Sequence, residues 1–307
     1  MIDIGKQYTT GDNRVDTSGF KAKARQHQSE FRAKTLRLPH DNYGNYLTKE
    51  DGENGMNFYQ DFEIFEAVKN YRPYNRPLYS NMLRSEHIPF NFFIPLRHDL
   101  TFCKNVFNEI LGGCIKSIDK NAIIEDKINI IIEFAPKPKE HYLNDRTSFD
   151  AYIEYNHTDN SKGIIGIEAK YTEREYKISG KTEQEAIDKP NSNYYIVSAK
   201  SGLFKPDSYK DLKSDNFRQI WRNQILGESI LQHKPDSFKH FSSLTFFPKG
   251  NLHFIEASKE YSKLLLSNNN NFMTVLYEDY FSILRSYTHD KRFLNWIDYL
   301  QDRYIVK

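Results

Sequence analysis

Only two cysteines, Cys103 and Cys114, occur in 307 residues, too few and too far apart for a disulfide framework or a Cys/His zinc site. They read as ordinary buried thiols, and a reducing cytoplasm is the expected compartment. The start MIDIGKQYTT has no basic-then-apolar leader pattern. No apolar run approaches the ~20 residues that cross a bilayer, so no membrane partner is expected. Charge of one sign is lacking too: 43 basic against 41 acidic side chains leave a net charge of +2. Overall charge therefore does not announce a polyanionic partner, although its distribution can. The chain also lacks G-x-x-x-x-G-K-[ST], H-E-x-x-H and G-x-S-x-G. Cleavage coupled to NTP hydrolysis, zincin chemistry and nucleophile-elbow chemistry are thereby set aside.

What is present is a soluble globular composition, long enough for one large domain or one domain with an appendage. Its 21 Tyr and 22 Phe are best explained by aromatic core packing. Residues 1–56 are polar and turn-rich (TTGDNRVDTSG, HDNYGNY, EDGENG) and read as an arm or extension outside a main domain of residues 57–307. One helical stretch near residues 19–37 carries Lys21, Lys23, Arg25, Arg32, Lys34 and Arg37 against Glu30 alone. A solvated helix face is the commoner meaning of such a run; the other is a phosphate-tracking arm, with Lys21, Lys23 and Arg25 as its contacts.

Further along, NFYQDFEIFEAVKNY has Phe58, Phe62, Phe65 and Val68 at helical spacing. The aromatic segment NMLRSEHIPFNFF enters a helix that Gly112 and Gly113 stop after Leu111. KINIIIEFAP reads as an apolar strand closed by Pro136, and NSNYYIVSA as a short strand. SDNFRQIWRNQILGESILQ reads as an amphipathic helix capped by Ser214, with Phe217, Trp221, Ile225 and Leu226 inward. FSSLTFFPKG and HFIEAS promise one or two strands, NNNN at 268–271 a loop, and FMTVLYEDYFSILRSY and FLNWIDYLQDRYI terminal helices. The sum is an α/β domain, a central mixed sheet flanked by helices.

The chemistry sits in SFDAYIEYNHTDNSKGIIGIEAKYTE, residues 148–173. An unpartnered charge costs several kcal/mol or more to bury, yet Glu168 and Lys170 lie in a run apolar enough for an interior strand. Alternation puts both on one side, with Ile167, Ala169 and Tyr171 on the other. The polar linker NHTDNSKG makes the two runs an antiparallel hairpin. Folding it symmetrically about Asp159 and Asn160 sets residue 150 opposite 169, with Asp150 beside Glu168 and Lys170. Acid-x-Lys recurs at Glu125/Lys127, Glu175/Lys177 and Asp211/Lys213; only the pair at 168 and 170 lies within a strand-like run facing another acid. Converging Asp and Glu oxygens suit a hard cation such as Mg²⁺ or Mn²⁺, and an ammonium beside them suits phosphodiester hydrolysis. A surface pair on an edge strand, worth under about 1 kcal/mol, is the plainer account of Glu168 and Lys170. Glycoside hydrolysis by paired carboxylates fits the lysine badly.

Asp150, Glu168 and Lys170, with RSEHIPFNFF before them and QIWRNQIL after, resemble the PD-(D/E)XK nuclease superfamily, in its restriction-endonuclease-like bacterial branch, over roughly residues 80–255. Ser148 and Phe149 stand before the Asp, with no proline. The resemblance implies a restriction-endonuclease-like core and Mg²⁺- or Mn²⁺-dependent cleavage of DNA, occasionally RNA, in a restriction or defence setting. It implies Asp150 and Glu168 as metal ligands and Lys170 as the catalytic lysine. It adds Glu86 as an additional catalytic and metal-binding acid, Gln219 as a polar catalytic group, and Arg222 and Asn223 as DNA contacts. Glu173 is a further ligand or simply the strand's polar end. A helix-start charge is an equal account of Glu86, and a solvated face of Gln219 and Arg222. Cutting both strands would favour a homodimer. The other reading of the fold is a binding or assembly module without catalysis, against which the intact Asp, Glu and Lys set argues.

Overall fold

The hairpin forms the centre of a six-stranded mixed sheet in the computed structural model, which describes residues 2–9, 19–119, 129–174, 181–189, 191–267 and 271–306. Its strands are β1 (Ile115–Ile118), β2 (Ile130–Phe134), β3 (Phe149–His157), β4 (Lys162–Ala169), β5 (His240–Phe247) and β6 (Phe272–Leu276). β3 pairs antiparallel with β4 and carries both β1 and β2 on its other edge, while β4, β5 and β6 run parallel. Parallel neighbours need a crossover. The segment joining β4 to β5 supplies it with the helix Arg218–His233.

Each face of the sheet buries its own core. Ala151, Ile153, Ile165, Ile167, Ala169 and Phe246 pack under the aromatic helices Ile88–Phe93, Tyr277–Ser286 and Lys291–Tyr304. Tyr152, Ile164 and Phe241 face Trp221, Ile225 and Leu226 of the crossover helix. Gly227 lets that helix lie close, because a Cβ there would fall inside the Phe241 ring's space. Among the described residues no helix is long and apolar enough to cross a membrane.

Several local expectations change. NYYIVSAKS is the helix Asn193–Ser201, not a strand: Ser192 Oγ accepts from Tyr195 N at 3.2 Å, and Gly202 ends it in the left-handed region. The cap and the burial of Tyr194, Val197 and Ser198 at helical spacing outweigh the strand propensity of Tyr, Ile and Val. HFIEAS belongs to the helix Leu252–Ser262, opened by Asn251 Oδ1 accepting from Phe254 N at 3.3 Å. FMTVL is β6, paired on β5, before the helix begins at Tyr277. Ser214 contributes its carbonyl, not its hydroxyl, to Arg218 N, where the crossover helix starts. β1 had no sequence signal strong enough to stand out. Most of TTGDNRVDTSG, the pairs at 125/127 and 175/177 and most of NNNN lie outside the described residues.

The N-terminal segment is not an arm. Gln28 on the helix Gly19–Phe31 donates to Tyr171 Oη at 3.1 Å and to the Arg303 carbonyl at 2.6 Å. Arg32 donates to the Gly44 carbonyl, and buried Arg303 to the Asn57 carbonyl. The basic run divides accordingly. Lys23 is exposed and Lys21 half-buried, but Arg25 is 2% exposed with its guanidinium 4.3 Å over the Tyr8 ring, so it does not reach a nucleic acid.

Glu228, buried on the crossover helix, accepts from Asn271 Nδ2 at 2.7 Å, and burial pushes its carboxyl up from 4.5 to about 7. The folded protein then keeps this proton over a range in which the unfolded chain has lost it. Stability therefore falls from about pH 4.5 to 7 and stays lowered above. Glu228→Gln is expected to gain up to about 3 kcal/mol at pH 8 and nothing near pH 4 in urea denaturation. Equal effects at both pH values would count against the buried acid.

Candidate active site

β3 and β4 pair Ala151 with Ile167 and Tyr152 with Gly166, one residue away from the symmetric register. One step further along, Asp150 faces Glu168 rather than Ala169. Directly opposed residues of an antiparallel pair point to the same side, so this offset brings the two carboxylates together. The symmetric register would have separated them. Asp150 is fixed by its Oδ2, which accepts from Ala169 N at 2.7 Å.

Glu168 is 3% exposed and accepts from Lys170 Nζ and Gln219 Nε2 on Oε1 and from Asn223 Nδ2 on Oε2. Gln219 and Asn223 stand four apart on the crossover helix, so they share the face turned to β4. A carboxylate has about four acceptor positions. Three are used, and the one remaining, on Oε2, is open to a cation.

Lys170, 7% exposed, sits one residue past β4, its backbone held on both sides. Its amide donates to the Phe246 carbonyl at 2.8 Å, and its carbonyl accepts from Tyr277 Oη at 2.8 Å. Burial pulls the ammonium's pKa down, but Glu168, Asp150 and Glu173 outweigh it and leave the pKa raised. Lys170 stays charged. Glu173 accepts from the amides of Ser85, Tyr171 and Thr172 at 2.9, 2.9 and 3.1 Å. It pins the end of β4 to the segment around Ser85. Burial raises its carboxyl, while Lys170 and these amides hold it below the usual range.

Asp150, Glu168, Gln219, Arg222 and Asn223 line one cavity of about 230 Å³, together with Glu133, Arg146, Thr147 and Ser148. Glu133 was not singled out in the sequence. It lies on β2 with φ 56°, in the left-handed region, and accepts from Ser148 Oγ at 3.1 Å. Burial raises its carboxyl, with Glu168 adding to the rise. The signal that could have found it is the one that found Glu168, a lone acid in an apolar strand (IIIEF).

The other candidates are placed differently. Both oxygens of Glu86 are held, by Arg72 at 2.9 Å and Arg84 at 2.7 Å, and it does not line the cavity. Arg222 is spent internally: it pairs with Asp145 at 2.9 Å and donates to Thr147 Oγ1, fixing the loop before β3 to the helix. Asn223 faces Glu168, not the outside. Lys21 and Lys23 lie on the helix Gly19–Phe31 and do not line the cavity.

The donor set suits a hard divalent cation. Three carboxylates share the cavity with the exposed Arg146, while Lys170 pairs with Glu168 beside it and Arg222 is matched by Asp145. Burial, then Glu168, pushes the Asp150 carboxyl well up, with Glu133 adding and Lys170 opposing. Crowded carboxylates of this kind are relieved by Mg²⁺ or Mn²⁺. A second cluster, His157, Asp159 and His240, lies at the opposite end of β3, where the β3–β4 turn meets the start of β5. Its two imidazoles stack 3.8 Å apart at 17°, so their in-plane lone pairs run side by side, and each ring already contacts Asp159. In that arrangement they do not converge on one ion.

A family model of the PD-(D/E)XK nuclease superfamily matches residues 10–306. No curated protein and no solved structure matches the chain.

Replacing Glu133 by Gln removes one of three crowded negative charges while keeping an acceptor for Ser148. The metal-free protein is expected to gain about 1 kcal/mol at pH 8, and the rise in Tm on adding Mn²⁺ to shrink. A melting series with and without Mn²⁺ checks both; a metal-free loss with an unchanged Mn²⁺ rise would make Glu133 a structural residue.

Proposed function

The chain belongs to the PD-(D/E)XK nuclease superfamily, and from that premise we propose that it is a divalent-cation-dependent endonuclease that hydrolyses phosphodiester bonds in DNA. The observation that carries this reading is the convergence of Asp150, Glu168 and Glu133 at one cavity, with the Lys170 ammonium paired to Glu168 beside it. A restriction or defence role fits an endonuclease of this superfamily and is part of the proposal.

Asp150, Glu168 and Glu133 would hold the cation. When bound, Mg²⁺ or Mn²⁺ supplies charge neutralisation at the phosphodiester and a lowered pKa for a coordinated water. The remaining work belongs to side chains. Lys170, charged and pinned at its backbone, holds the attacking water or a non-bridging phosphate oxygen and offsets the negative charge that develops there. Gln219 and Asn223 keep Glu168 oriented, so they act as positioning residues and not as DNA contacts. Glu86 keeps Arg72 and Arg84 beside the segment that Glu173 ties to β4.

The test is incubation of the purified protein with supercoiled and single-stranded DNA in Mg²⁺, Mn²⁺ or EDTA, beside Glu168→Ala and Lys170→Ala. Metal-dependent cutting is expected, falling by about 10²-fold or more in each variant, with circular dichroism showing both folded. Cutting that survives in both variants would place the activity elsewhere. Wild-type protein that binds DNA tightly and salt-sensitively but never cuts it would be a binding module on this fold.

A further inference from the structure

Beside the carboxylate cavity lies a second one, of about 490 Å³, formed largely by the loop that joins β2, which carries Glu133, to β3, which carries Asp150. The two share Arg146 and Thr147 as lining residues. Its wall is apolar, from Pro136, Pro138, Tyr142, Leu143 and Leu226. Its rim is cationic. The side chains of Lys137, Lys139 and Arg146 are exposed and make no ion pair or hydrogen bond with any described residue. Glu140, exposed on the same turn, does not line the cavity.

The loop is held in place. Asn193 Nδ2 donates to the Tyr142 carbonyl at 2.6 Å, the Tyr142 ring packs 5.1 Å from His233, and Arg222 ties Asp145 and Thr147 to the crossover helix. This explains why Arg222 is unavailable to a ligand while its neighbour Arg146 is free. An apolar wall large enough for a base, with three unmatched cations at its edge and a phosphodiester-hydrolysing site next door, matches the two halves of a nucleotide. A base buries its apolar faces on such a wall, and cations track the backbone.

We propose that this cavity seats a nucleotide flanking the scissile phosphate of a single-stranded segment, its base against Pro136, Pro138 and Leu143 and its backbone on Lys137, Lys139 and Arg146. The proposal rests on the nuclease reading above. A base can enter the wall only when unstacked, so a single strand is preferred over an intact duplex.

Fluorescence anisotropy with a labelled 20-nucleotide single strand and its duplex, in EDTA at several salt concentrations, tests it on the wild type and on Lys137→Ala/Lys139→Ala/Arg146→Ala. The wild type is expected to bind the single strand more tightly than the duplex. The triple variant is expected to bind about tenfold more weakly or worse, with the slope of log K against log salt flatter by about 2. All three changes are at exposed side chains, and a melting curve verifies folding. Wild-type binding with an unchanged slope in the triple variant overturns the seat, as does duplex bound as tightly as single strand; metal-dependent cutting by the wild type would in either case leave the nuclease reading standing. Wild type that neither binds nor cuts nucleic acid overturns both.

Discussion

The arrangement turns on one buried carboxylate. Glu168 is taken almost wholly out of water, and a charge so placed is tolerable only when paired and hydrogen-bonded. Lys170 supplies the charge, and Gln219 and Asn223 supply the hydrogen bonds from the crossover helix. The same four groups therefore satisfy an electrostatic demand and fix the helix against β4. Removing either amide leaves an acceptor of a buried anion unmatched, which makes the helix-to-sheet register part of the site's chemistry.

The β3–β4 register carries equal weight. Side chains alternate faces with a period of two, so a one-residue slip in the hairpin moves Asp150 from the face it shares with Glu168 to the apolar one. What selects the observed pairing lies at the open end of the hairpin, away from the turn. Asp150 itself accepts from the Ala169 amide, and the Phe149 ring occupies the space that a side chain at position 166 would fill, which glycine leaves open. The loop length alone does not choose between the two registers.

This also marks how far the sequence could be read. The central hairpin, the crossover helix and the Glu168–Lys170 pair are legible in local pattern, because a charged pair inside an apolar strand has few structural uses; the register that sets Asp150 opposite Glu168 is not. The fate of Asn193–Ser201 and Leu252–Ser262 does not: both hinge on a single capping side chain against aromatic and β-branched content. Surface cations are illegible for a different reason. Arg25, Arg222 and Arg146 have the same side chain, and only tertiary partners decide that the first is buried over Tyr8, the second pairs with Asp145 and the third is left exposed. Glu133 was visible in principle, since it obeys the rule applied to Glu168, but no nearby lysine drew it out of IIIEF.

A site of this kind is costly for the fold. It crowds Glu133, Asp150 and Glu168, and it holds Glu133 in a left-handed backbone conformation worth about 1–3 kcal/mol of strain. The offsetting stability comes from the aromatic core on the other face of the sheet, which gives the abundance of tyrosine its meaning. Tyr277 bonds the carbonyl of Lys170, Tyr280 that of Phe92, and Tyr171 and Tyr304 accept from Gln28 and Asn91. Each ring buries a large apolar body and ends in a hydroxyl that matches a polar group no water could reach. Phenylalanine at position 277 would fill the same volume yet leave the Lys170 carbonyl without that donor. The tyrosine-rich layer thus stabilises the domain and, through Tyr277, holds the backbone from which the Lys170 ammonium projects.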